Sequence, residues 1–235
     1  MDDAALSPTP GPAAPPRPRW QLIAVMIPIA AVLVAGYFAG AGWPKMFNTH
    51  PLLLIALSPI NRFLLLTTNH LSWYSYYGVG LARHLFPDPF FYLIGSWYGV
   101  RAIKWIGESS PAITKLTGED GTGLSDPAHR KLLYPLAFFV PNNWVSLLCG
   151  ATDIPFRTFA ALNIGGTMLR LLLCRWIGSL FEDQIKDIAT WVGRYSTQIT
   201  IASVVVVLLG IAIQFRRGTG QLVGLTHLDE LDSDD

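Results

Sequence analysis

Residues 132–164 read LLYPLAFFVPNNWVSLLCGATDIPFRTFAALNI, and how this stretch is read decides the fold. It opens as an apolar run fit for hydrocarbon and is then broken by Pro141, Asn142 and Asn143, with no charge to mark a loop. In a bilayer such a break is costly, because proline removes an amide donor and the freed carbonyls find no water. It survives where protein or a water-filled cavity surrounds it. Residues 141–144 are therefore expected to form the turn of a re-entrant hairpin lining a polar site. An ordinary proline kink in a spanning helix is the alternative that these residues alone leave open.

The rest of the chain suits that environment. Of 235 residues, 51% are hydrophobic and only 14% charged, which points to one integral membrane domain instead of a soluble core. The net charge of +1 says little, but its distribution says more. Between Ala4 and Gly107 the single acid is Asp88, whereas five of the sixteen acids crowd into residues 229–235. Cys149 and Cys174 lie inside apolar runs without a CxxC partner, so they are expected as packing residues. The five histidines are scattered without an HxxxH pair, and neither a metal site nor a cofactor is expected.

Working outward from the opening stretch, residues 1–19 are rich in Pro and Ala and are expected to be a disordered tail. Residues 22–42 are uncharged, and 21 residues are about enough to cross a hydrocarbon core of roughly 30 Å. A signal peptide competes for this segment, but its apolar part is only about 7 to 15 residues long, which favours an uncleaved spanning helix. Residues 51–66 carry Ser58, Pro59, Ile60, Asn61 and Arg62 at their centre. A second re-entrant hairpin at Pro59 accommodates Arg62, whose insertion mid-span costs about 2.5 to 3.5 kcal/mol. A surface helix with Arg62 snorkelling to headgroups is the alternative. The aromatic cluster Trp73, Tyr74, Tyr76 and Tyr77 suits a membrane interface.

A further spanning segment is expected from Asp88 through Trp105, with Gly95 and Gly99 in a GxxxG spacing for close helix approach. Residues 108–131 read as a polar loop, 156–180 and 199–215 as helices, and 218–235 as an acidic tail. With the N-terminal tail, residues 101–131, Arg157 and the pair Arg216 and Arg217 on the cytoplasmic side, ten basic residues lie inside and four outside. That layout needs four crossings, opposite entry of the two hairpins and both termini cytoplasmic. Two hairpins entering from opposite sides form an inverted repeat, a plan of secondary transporters. The expected fold is thus all-α, with residues 20–217 as one membrane domain.

The polar groups expected at membrane depth are Asn61, Arg62, Asn142, Asn143, Asn163 and Arg170. At roughly 100° per residue, Asn163, Gly166 and Arg170 share one helix face. Two arginines, helix ends and amides suit an anion, and a phosphate headgroup is the obvious one. The alternative leaves Arg170 paired with a carbonyl or snorkelling. No nucleophile and base stand at a recognisable spacing, so no enzyme is expected. Asp88 and Asp153 are the acids able to flank the site, as proton carriers or as helix N-caps before Phe90 and Phe156.

Asp88-x-x-x-Tyr92-x-x-Gly95-x-x-x-Gly99, then the Pro141 break, then Gly150-x-x-x-x-Pro155-x-x-x-Phe159-x-x-x-Asn163-x-Gly165 resembles the DedA family, also called the VTT or SNARE-associated Golgi protein domain. The resemblance covers roughly residues 48–215. It implies paired re-entrant hairpins and movement of lipids between leaflets, with undecaprenyl phosphate or phospholipid as cargo. The family commonly has Pro-Gly-Glu in the first hairpin, where this chain carries Pro59, Ile60 and Asn61. It also has an arginine on each side of the second-hairpin proline, where this chain carries Phe138 and Trp144. Arg62 and Arg170 are the cations left to replace the lost charge.

The expected activity is a flippase or scramblase for a phosphate-bearing lipid in the plasma (inner) membrane. Arg62, Arg170, Asn61, Asn142, Asn143 and Asn163 are expected around the headgroup, Pro59 and Pro141 at the turns, and Gly95, Gly99, Gly150, Gly165 and Gly166 at helix contacts. The competing expectations are a non-transporting scaffold with a protein partner at the acidic tail, and an ion-coupled exporter, which the positive charge of the site disfavours. No nucleic-acid partner is expected.

Overall fold

The computed structural model describes residues 18–108, 117–118 and 127–217. Residues 1–17 of the expected N-terminal tail, the expected acidic tail 218–235, and residues 109–116 and 119–126 of the expected 108–131 loop lie outside the described residues. Residues 127–131 of that loop are helical instead, opened by Pro127, and Arg19 of the expected tail begins the first helix. Within the described residues the fold is helical, without a strand.

Helix α1 spans Arg19–Thr49, longer at both ends than the uncharged core that suggested it. Next come α2 (Pro51–Leu57) and α3 (Asn61–Thr67), separated where Pro59 has no N–H to continue a helix. A short 3₁₀ turn leads to α4 (Trp73–Leu85), which Ser72 caps by accepting from the Ser75 amide. The segment expected to run unbroken from Asp88 is two helices, α5 (Asp88–Tyr98) and α6 (Val100–Glu108). They part at Gly99, whose φ of 51° and ψ of −122° suit a residue without Cβ.

Helices α7 (Pro127–Phe139) and α8 (Asn143–Ala151) flank the Pro141 break. Then α9 (Phe156–Leu180) has the expected limits, and an 83° bend separates it from the amphipathic α10 (Glu182–Arg194). The last helix, α11, covers Ser196–Arg217. Both α1 and α11 are long and apolar enough to cross a membrane, and α9 with α10 makes a third if the bent pair is one span. Apolar side chains such as Ile27 and Phe38 on α1 and Val206 and Leu208 on α11 face outward, as a hydrocarbon solvent allows.

The buried apolar residues form two clusters. One joins the first half of α1 to α5, α6, α7, α8 and the start of α9, around Ile94, Leu133, Leu147 and Leu148. The other joins the second half of α1 to α2, α3, α4, the middle of α9 and α10, around Phe47, Leu54, Phe63 and Tyr76. Among the described residues only α1 and α9 contribute buried apolar side chains to both, and they hold the two halves side by side.

Helices α5 and α8 cross backbone to backbone. A Cβ on Gly95 would overlap the Leu147 carbonyl, and one on Gly150 would overlap the Tyr92 carbonyl. Glycine at both positions lets the two backbones touch, which in lipid replaces the missing hydrophobic drive between helices. Gly166 likewise lies against the Phe138 carbonyl of α7, and Gly165 against the Phe138 ring. Gly99 does not share this role: a Cβ there would meet nothing within 4 Å, and its glycine serves the turn.

Candidate functional site

Breaking a helix at Pro59 leaves the last carbonyls of α2 without intrahelical donors. Arg83, from the end of α4, meets them. Its Nε donates to the Ala56 carbonyl at 2.9 Å, and one terminal nitrogen donates to Leu57 O at 2.8 Å and to Val32 O of α1 at 3.2 Å. A guanidinium at a helix C-terminus also complements the negative end of the helix dipole. The first break is therefore closed by a charged donor that also ties α2 to α1.

The second break is closed differently. Asn142 caps α8 through its side-chain oxygen, which accepts from the Asn143 amide at 2.7 Å. One turn on, Ser146 Oγ donates to Asp88 Oδ1 at 3.0 Å, and Asn163 Nδ2 of α9 donates to Asp88 Oδ2 at 2.6 Å. Asp88, Ser146 and Asn163 are all buried, so one carboxyl pins the starts of α5 and α8 to α9. Ion pairs among the described residues are those of Lys186 with Glu182 and Asp183, so neutral donors alone hold Asp88.

Between the two breaks lies a cavity of about 860 Å³. Ser58, Pro59 and Ile60 line it from the first break, and Pro141, Asn142, Asn143 and Trp144 from the second. Arg62, Arg83, His84, Asp88 and Arg170 supply its charged and titratable groups, and one face of α1 supplies an apolar wall. Arg170 Nε donates to Asn61 Oδ1 at 2.7 Å, which ties α9 to the start of α3. The Arg62 guanidinium rests 4.7 Å from the Phe63 ring centroid. Three guanidinium groups against one carboxyl leave the cavity with an excess of positive charge, and dipoles of short helices end at its rim.

The predicted polar residues are thus brought together, with distinct tasks. Arg62, Asn142, Asn143 and Arg170 line the cavity, Asn61 orients Arg170, and Asn163 holds Asp88. The common face expected for Asn163, Gly166 and Arg170 is turned inward, each contacting a different element. Asp88 is not an N-cap, since no side-chain cap bond is made at the start of α5. Asp153 stands apart, in the turn between α8 and α9, exposed and with φ 55°. It caps nothing with its side chain, and its carbonyl accepts from Arg130 at 3.2 Å.

Arg83 and His84 escaped sequence reasoning. Arg83 counted there as a loop charge outside the membrane, although the carbonyls freed by Pro59 called for a donor in the same part of the chain. His84 lines the cavity and buries its Nε2 without a hydrogen-bond partner among the described residues.

Six of the residues quoted for the family resemblance meet in pairs. Tyr92 stacks on Phe159, with ring centroids 5.1 Å apart, and donates to the Ile154 carbonyl at 2.7 Å. Gly95 and Gly150 share the α5–α8 crossing, and Asp88 meets Asn163. Set against protein-family models, curated proteins and solved structures, the chain matches none.

Proposed function

We propose that this chain is a divergent DedA-like protein that moves a phosphate-bearing lipid between leaflets. In this reading residues 51–67 and 127–151 are two re-entrant hairpins of opposite entry, in a domain of four crossings with both termini cytoplasmic at the plasma (inner) membrane. The observation that carries it is the cavity of about 860 Å³ between the Pro59 and Pro141 breaks, with Arg62, Arg83 and Arg170 in its lining. Broken helices around a polar cavity suit a substrate site within a membrane, and guanidinium groups suit a phosphate.

Arg62 is the cation with most freedom to meet a headgroup, since its guanidinium rests on a ring face. Arg170 offers its terminal nitrogens while Asn61 holds its Nε. Asn142 and Asn143 provide amides at the rim, and Asp88 is placed to exchange a proton with the cavity. The test is transport of labelled undecaprenyl phosphate in liposomes. Arg62→Ala and Arg170→Ala are each expected to slow it by about tenfold or more, the scale of one charge-assisted hydrogen bond. Unchanged rates in both would remove these residues from the mechanism.

A second reading, a membrane scaffold, draws on the carbonyls and the amide that already occupy Arg83 and Arg170. Deleting residues 218–235 separates the two: a scaffold docked through its acidic tail loses its partner, while lipid movement is unchanged.

A further inference from the structure

We propose that the cavity opens sideways to the bilayer between α1 and α11, and that the slot at Gly36 and Gly40 holds the hydrocarbon chain of the amphiphile whose anionic head lies at the arginines. This rests on the lipid-phosphate reading above and adds the route and the seat of the chain. The α1 residues in the lining recur at helical spacing, from Ile29 through Val32, Gly36 and Gly40, and form a single face. That face is packed in the core at Ile29 and faces the cavity beyond it. Opposite it, α11 contributes Val207 to the lining.

The α1–α11 seam is long but shallow, running along both helices while α11 stays exposed. A Cβ on Gly40 would meet Val207 Cγ2 at 3.6 Å, ordinary van der Waals contact, and a Cβ on Gly36 would meet nothing within 4 Å. One side-chain hydrogen bond crosses it among the described residues, from Tyr37 Oη to Gln214 Oε1 at 3.2 Å. Nothing in the most apolar 18-residue window of α11 is buried. Lipid tails solvate that helix as well as protein does, so parting the seam costs little apolar contact. A cavity for a water-soluble anion has no use for an apolar arm running from its cationic end to this seam. An amphiphile does, because its head is drawn to the guanidinium groups while its chain never leaves an apolar medium.

The experiment pairs Gly40→Cys with Val207→Cys, whose positions are close enough for a disulfide. The native Cys149 and Cys174 are buried and stay in place. Occupancy by dioleoyl phosphatidic acid and by chainless sn-glycerol 3-phosphate is read by native mass spectrometry before and after oxidation. Oxidation is expected to lower phosphatidic acid occupancy by about tenfold, to leave glycerol phosphate unchanged, and to be reversed by reductant. Gly36→Leu, which has room for its side chain, is expected to reproduce the selective loss without a cross-link, and Gly210→Leu on α11, equally roomy but off the lining, is expected to change neither probe. Equal phosphatidic acid occupancy in oxidised and reduced protein overturns the portal alone. Equal loss of both probes on oxidation also overturns it, since the cross-link then acts on the head site. Failure of the reduced protein to bind either probe overturns the lipid-phosphate reading and the portal with it.

Discussion

At the Pro59 break the freed carbonyls of Ala56 and Leu57 are met by the guanidinium of Arg83, which reaches over from α4. At the Pro141 break Asn142 caps its own helix, and Ser146 and Asn163 join through the Asp88 carboxyl. The surroundings differ in the same sense. Around Pro141 the α5–α8 crossing is backbone on backbone at Gly95 and Gly150, with no side chain that can rotate to make room. Around Pro59 the ties are long side chains: Arg83 on carbonyls, and Arg175 on the Leu71 carbonyl with its guanidinium 4.7 Å from the Trp73 ring centroid. The Pro141 half is thus joined mainly backbone to backbone, and the Pro59 half mainly by long side chains, alongside the close approach of Gly178 to Thr68 and the Leu65 carbonyl.

The largest effect expected from this contrast is at the rigid crossing. Gly150→Leu forces α5 and α8 apart, and overpacking a close contact costs about 3 kcal/mol or more, since here the obstacle is backbone. Loss of the folded species in a detergent thermal-unfolding assay is the expected result, and a variant that melts like the parent would deny the crossing.

Next comes Arg83→Met, which keeps the stem and removes the donors. Three carbonyls then lose their side-chain donor, and the two freed by the Pro59 break, Ala56 and Leu57, cost about 1 to 3 kcal/mol for each left buried and unpaired. Amide hydrogen exchange should quicken in residues 54–64 while residues 141–151 stay protected. Equal change in both regions would contradict separate closure of the two breaks.

The smallest effects concern the two acids. Asp88→Asn preserves shape and is expected to cost about 1 kcal/mol through its altered bonds to Ser146 and Asn163. It should also flatten the pH dependence of lipid transport. Asp153→Asn changes an exposed turn side chain and should leave both stability and pH dependence as they were. Flattening by Asp153→Asn, or none by Asp88→Asn, would reverse the roles assigned to them.

Much of this was legible in the sequence because proline and length act locally. Pro59 and Pro141 interrupt apolar runs, and the chain does break there. The span lengths of α1 and α11 followed from long uncharged apolar stretches, and α9 begins directly after Pro155. What escaped depends on partners far along the chain. α4 and α10 are too short or too charged to stand out as apolar spans, and Gly99 shares the spacing of a packing glycine while its φ shows a turn. Charge counting places Arg83 by its distance from a span, but its role is set by which carbonyls it reaches. Asp88 finds Ser146 and Asn163 at separations of 58 and 75 residues, beyond any helical periodicity. The α1 wall of the cavity was hidden for the same reason.

The most direct test of the central claim is a cryo-electron microscopy map of the protein in nanodiscs containing phosphatidic acid. Density for a lipid phosphate should lie between Pro59 and Pro141, within hydrogen-bond reach of Arg62 and Arg170. A cavity holding only water, with lipid phosphates confined to the outer surface, would contradict it.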